Sequence, residues 1–281
     1  MRGFELCAFA DEADKRIDGQ IAALQKNGIP YLEIRGVDGE NIAAITAEKA
    51  KEVKEKLDAS GISVWSVGSP CGKADIDGDE EKELDRLKHC LELGNILGAK
   101  NIRMFSFFMP KGEADKYTDK VLRRLSRFCD TARGCGITLC HENEKGIYGD
   151  IPERCIEIHK AIPEIKSVFD PANFVQCGVN ILDAWNKLEP YVYYGHIKDA
   201  DADGNIVPPG MGIGMIREYL PKFTAKGCSV LTLEPHLAEF AGLSDLEEEG
   251  DKSKVGGMSF ANNREAFDYA TKSLKAIISE I

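Results

Sequence analysis

The chain has 281 residues, 43% of them hydrophobic, with 36 Lys and Arg against 47 Asp and Glu, for a net charge of −11. That length buries a large core, and an acidic chain without a basic stripe weakly repels nucleic acid and anionic membranes, so neither is expected as a partner. No apolar run approaches the roughly 20 residues of a membrane helix, and the N-terminal apolar stretch is too short for a signal peptide. The expected setting is the cytoplasm. Nine cysteines with no CxxC pair read as reduced, mostly buried thiols rather than a disulfide or zinc framework.

In chain order, eight short apolar runs stand out, at 4–10, 31–35, 63–68, 101–105, 138–142, 167–170, 193–198 and 230–234. Amphipathic charged stretches separate them. In 46–59, Ala50, Val53 and Leu57 fall at helical spacing, and in 79–97 Leu84, Leu87, Leu91 and Leu93 punctuate a charged background. Residues 120–135 and 263–281 read the same way. Gly28, Gly61, Gly98, Gly136 and Gly227 mark helix-to-strand turns. Strands alternating with helices imply right-handed βαβ units and a parallel sheet. Eight of them, with no GxGxxG after the first, predict an α/β fold: a closed (β/α)8 TIM barrel, one domain over residues 1–281. The longest irregular piece, 236–258, is rich in acid and glycine and follows strand eight, the position of a lid or a partner surface.

Four of the later runs end in metal-competent side chains. Glu142, Asp170, His196 and Glu234 terminate strands five, six, seven and eight, and a barrel gathers such ends at one mouth. Three carboxylates and one imidazole suit a single divalent cation of the Mn²⁺, Mg²⁺, Co²⁺ or Fe²⁺ kind, with Zn²⁺ also admitted in an open site. Coordination positions would remain for two substrate oxygens.

The segments His141–Glu142–Asn143–Glu144, Asp170–Pro171–Ala172–Asn173, His196–Ile197–Lys198–Asp199 and Leu233–Glu234–Pro235 resemble the xylose-isomerase-like TIM barrels, the sugar phosphate isomerase/epimerase group. The resemblance covers essentially the whole chain. It implies a metal held by Glu142, Asp170, His196 and Glu234, with Glu142 and Glu234 as the catalytic acid/bases. It implies a carbohydrate substrate and an epimerase or isomerase passing through an enediolate. The chain departs from the group in carrying Asn173 where several members have a substrate-contacting His. It also lacks the Arg that 3-epimerases carry downstream of the strand-seven His. A lyase or dehydratase acting on an inosose or 3-keto-glycoside is therefore the alternative.

Further substrate contacts are expected from Asn173, from Lys198 and His236, each two residues beyond a metal-site residue on the same strand face, from Lys73 after strand three, and from Glu33, read as ending strand two at the mouth. Trp65 is expected in the barrel core, and His141 is turned from the metal by alternation. Gly212 and Gly214 offer backbone N–H groups suited to a phosphate. The Asp199–Gly204 stretch imitates an EF-hand opening but lacks the closing Glu, so a tight acidic hairpin is expected instead. Homo-oligomer formation is left open, with 236–258 as its candidate interface.

Overall fold

All eight apolar runs become parallel strands in the computed structural model, which describes residues 3–240 and 258–281. They are β1 Glu5–Ala8, β2 Tyr31–Ile34, β3 Ser63–Gly68, β4 Asn101–Met104, β5 Thr138–Glu142, β6 Lys166–Phe169, β7 Val192–Ile197 and β8 Val230–Leu233. Each pairs with its sequence neighbours, and β1 closes on β8 with Glu5 opposite Val230, so the sheet is a TIM barrel. Strands of a parallel barrel are covered on both faces, which is why they read as runs rather than alternations.

The helices form where local chemistry starts and stops them. Thr46 caps Ala47–Ala59 (α2, after α1 at Ile17–Lys26) by accepting from Lys49 N at 3.1 Å, and Ala50, Val53 and Leu57 are its buried stripe. Asp79 caps α3, Glu80–Leu97, by accepting from the N–H groups of Glu81 and Lys82. Gly98 ends α3 at φ +73°, a left-handed turn that disfavours other residues. The helix expected over 120–135 spans Ala114–Ala132 (α4), starting six residues earlier. Pro152–Ala161 (α5), Pro171–Gln176 (α6), Ile181–Leu188 (α7), Ile216–Ala225 (α8) and Asn263–Glu280 (α9) complete the ring.

Between sheet and helices lies one continuous apolar core. The barrel interior is a separate, smaller cluster of Cys7, Cys140, Val168, Tyr194 and Val230, against which Trp65 packs. All nine cysteines are free. No helix among the described residues is long and apolar enough to cross a membrane. Of the excursion expected over 236–258, residues 241–257 lie outside the described residues.

Candidate metal centre

The ends of β5 to β8 bring Glu142, Asp170, His196 and Glu234 together. One donor atom from each lies within 4.8 Å of the others, and all four residues are buried. His196 is the hub: its Nδ1 sits 3.0 Å from Glu142 Oε1, 3.2 Å from Glu234 Oε2 and 3.9 Å from Asp170 Oδ2. Asp170 also caps α6, its Oδ1 accepting from Asn173 N at 2.9 Å, which aims the other oxygen at the cluster. That Oδ2 lies 3.0 Å from Lys198 Nζ yet accepts no well-directed hydrogen bond. A buried carboxylate oxygen left so is a fitting donor for a cation. Three hard carboxylates and one imidazole at this spacing fit a divalent ion.

The two glutamates are held alike. Glu142 turns Oε1 to His196 and Oε2 to Arg103 Nη1, 3.4 Å away. Glu234 turns Oε2 to His196 and Oε1 to Arg35 Nη1, 3.0 Å away. Burial favours the neutral acid, but His196 and Arg103 outweigh it and hold Glu142 down at about 2. Lys198 and His236 likewise hold Glu234 well below the usual carboxylate range against its burial. Asp170 is pushed up to about 6 by burial, with Lys198 opposing and Glu142 and Glu234 adding to the rise. Burial works against charge on His196, yet the carboxylates around it raise its pKa well above the usual value.

The other expected contacts divide. Lys198 reaches Asp170 and Glu234, at 3.0 and 3.3 Å, so its charge is spent on the donor carboxylates. The Asn173 amide donates to Asn143 O at 2.9 Å and Glu142 Oε1 at 3.3 Å. His236 Nε2 stands 3.3 Å from Glu234 Oε1, and Lys73 Nζ pairs with Glu144 at 3.2 Å. Glu33 is corrected: it does not face the mouth but lies fully buried inside the barrel. There it accepts from Tyr194 Oη and Thr232 Oγ1, both at 2.8 Å, and meets His196 Nε2 at 3.3 Å. Alternation gives the inward face correctly but not the depth; the next inward residue, Arg35, reaches the mouth. The phosphate reading of Gly212 and Gly214 is also corrected, because Asp199 accepts from the N–H groups of Gly210, Gly212 and Gly214. The acidic hairpin forms, with Asp199–Ala200 paired to Ile206–Val207. His141 bonds Ser106 Oγ at 2.9 Å, away from the cluster.

Sequence reasoning missed two arginines and two acids. Arg35 is buried between Phe9 and Phe240 and pairs with Asp11, Glu12 and Glu234. Its guanidinium stands beside a second donor group, Glu12, Glu234 and His236. A cation already serves those residues. Arg103 lies in β4 beside the end of β5. The available signal was a single arginine in each of the runs 31–35 and 101–105.

A family model described as xylose isomerase-like TIM barrel matches residues 21–251, and the chain belongs to that family. No curated protein matches the chain in sequence at a significant level. Among solved structures, the IolI protein with a bound zinc atom superposes with a TM-score of 0.76 at 17% identity, over 99% of each chain. L-ribulose 3-epimerase gives 0.76 at 15%, over 100% of this chain and 95% of that one. The probable 3-DHS dehydratase AsbF from Bacillus anthracis gives 0.72 at 16%, over 97% and 98%. Likeness at such identities concerns the fold.

Proposed function

We propose that the chain is a divalent-metal-dependent isomerase or epimerase of a sugar or sugar-derived ketone, with Glu142, Asp170, His196 and Glu234 as the ligands. The observation that carries this reading is the convergence of the three buried carboxylates of Glu142, Asp170 and Glu234 on buried His196 Nδ1. Family membership supports it, as does likeness in fold to an epimerase and to a protein with a bound zinc atom.

When bound, the cation polarises a substrate carbonyl and acidifies the neighbouring C–H. Glu142 and Glu234 are the proton carriers. Each has one oxygen toward the cluster and the other fixed by an arginine; both are ionised in the ligand-free chain, and the one that acts as the acid takes up a proton before the step. One glutamate, entering as the carboxylate, takes the proton from one face of the substrate carbon, leaving an enediolate, and the other, which enters this step carrying a proton, delivers it to the opposite face. The result is epimerisation, and return to the adjacent carbon gives isomerisation. Asn173 holds the Glu142 oxygen in place, and Lys198 holds the Asp170 and Glu234 carboxylates. Burial of the cluster keeps water from the carbanionic stage.

A lyase or dehydratase acting on an inosose or 3-keto-glycoside is the second reading, favoured by the likeness to a probable dehydratase. It needs the same proton abstraction followed by loss of a β-leaving group. The test is NMR of the Mn²⁺- or Mg²⁺-loaded protein in D₂O with free and phosphorylated ketoses and keto-glycosides. Deuterium should enter beside the carbonyl and should fall by about 10²–10⁴-fold in Glu142→Gln or Glu234→Gln. The product separates epimerase, isomerase and lyase. A metal-loaded protein that exchanges no proton in any substrate would refute the proposal.

A further inference from the structure

We infer that Arg103 forms a subsite for a carboxylate carried by the substrate, so that the natural substrate is a keto acid of the sugar class. This inference rests on the proposed enolisation reading and narrows it.

Arg103 is 2% exposed, and its only ionic partner among the described residues is Glu142, at 3.4 Å from Nη1. Its Nε and Nη2 are buried and find no hydrogen-bond partner there. Those two N–H groups share one edge of the guanidinium, the side-on fork that takes two coplanar carboxylate oxygens. Buried charged donors without partners are costly, and proteins keep them where something else satisfies them. The contrast with Arg35 is direct, since all three nitrogens of Arg35 bond to acids of this chain. Arg103 has its fork unpaired beside a proposed base.

The surroundings preserve that arrangement. Phe105 packs 4.5 Å from the guanidinium carbon and, also at 4.5 Å, meets Lys73 Nζ. Two buried cations thus flank one ring, and Arg103 contributes to lowering the Lys73 pKa after burial itself. On the fork's side stands Gly68, directly opposite Arg103 in the β3–β4 register. A Cβ at Gly68 would lie 2.6 Å from Phe9 Cε1 and 3.2 Å from Arg103 Nη2. Glycine keeps that edge clear.

A phosphate would present the same kind of oxygens, but the observations favour a carboxylate. One fork of two donors matches one planar carboxylate. Phosphate is more often cradled by a run of backbone N–H groups, and those of Gly210, Gly212 and Gly214 are already committed to Asp199.

The test titrates three probes into the Mn²⁺-loaded full chain: D-fructose, 5-keto-D-gluconate and D-fructose 6-phosphate. Deuterium uptake is followed in parallel. The keto acid should bind about 10- to 100-fold more tightly than fructose, the range for a charge-assisted bidentate pair. That ratio should fall toward one in Arg103→Met and only partly in Arg103→Lys. Because it is a ratio, a change in metal affinity common to all probes cancels. If Arg103→Met does not fold, as judged by near-ultraviolet circular dichroism, the wild-type ratio and the Lys variant decide. Equal binding of fructose and keto acid, or a ratio that survives in Arg103→Met, overturns the subsite. Tightest binding by the phosphate overturns the carboxylate assignment. Exchange of fructose with no preference sinks this inference while the proposed function stands. If no probe binds or exchanges, the proposed function fails and takes the subsite with it.

Discussion

Glu33 Oε2 meets His196 Nε2 at 3.3 Å, one layer inside the barrel from the four converging donors. The same carboxylate accepts from Thr232 and Tyr194, which fix it in place. An ionised carboxylate only accepts, so the contact keeps a proton on Nε2 and reserves Nδ1 for the cluster. Glu33→Gln preserves shape and removes the charge. Its divalent-metal affinity should fall about 10- to 100-fold, as for other partners behind a metal-bound imidazole. Calorimetric titration of wild type and variant checks this, and equal affinities would remove Glu33 from the account.

Arg35 neutralises Asp11, Glu12 and Glu234 in a site that admits almost no water. Arg35→Met keeps the packing between Phe9 and Phe240 but strands three carboxylates. Removing one partner of a buried ion pair is strongly destabilising, by about 3–5 kcal/mol. Urea denaturation should show that loss. A loss under about 1 kcal/mol, the scale of an exposed pair, would mean the cluster is solvated in solution.

His159 is buried, stacks on Tyr191 and meets Ile165 O at 3.2 Å through Nδ1. Burial lowers its pKa to about 4, against about 6.5 in the unfolded chain. The unfolded state therefore binds the extra proton first. Stability is full above pH 6.5 and falls as pH drops from 6.5 toward 4, by about 2 kcal/mol at pH 5. His159→Phe should flatten that part of the stability profile. An unchanged slope between pH 7 and pH 5 would place the titration elsewhere.

The barrel was legible because strands buried on both faces leave continuous apolar runs, and all eight coincide with strands within a few residues. The donor set was legible because a carboxylate or imidazole ending such a run is anomalous. Depth was not. Alternation places Glu33 on the inward face but cannot say that it sits beneath His196. The arginine network was hidden for another reason: Arg35 meets Glu234 across 199 residues of sequence, through the closure of β1 on β8. The glycines at 212 and 214 read as a phosphate cradle because sequence does not show that Asp199 fills it. The start of α4 was missed because the turn at Gly112, not a capping side chain, begins it.

Metal stoichiometry tests the four-residue centre most directly. Apo protein would be dialysed against Mn²⁺ and analysed for bound metal, alongside Asp170→Asn and His196→Ala. The wild type should hold one ion per chain, both variants should lose tight binding, and no second ion should bind, because Arg35 already serves Glu12, Glu234 and His236. No bound ion, or one that survives both substitutions, would contradict it.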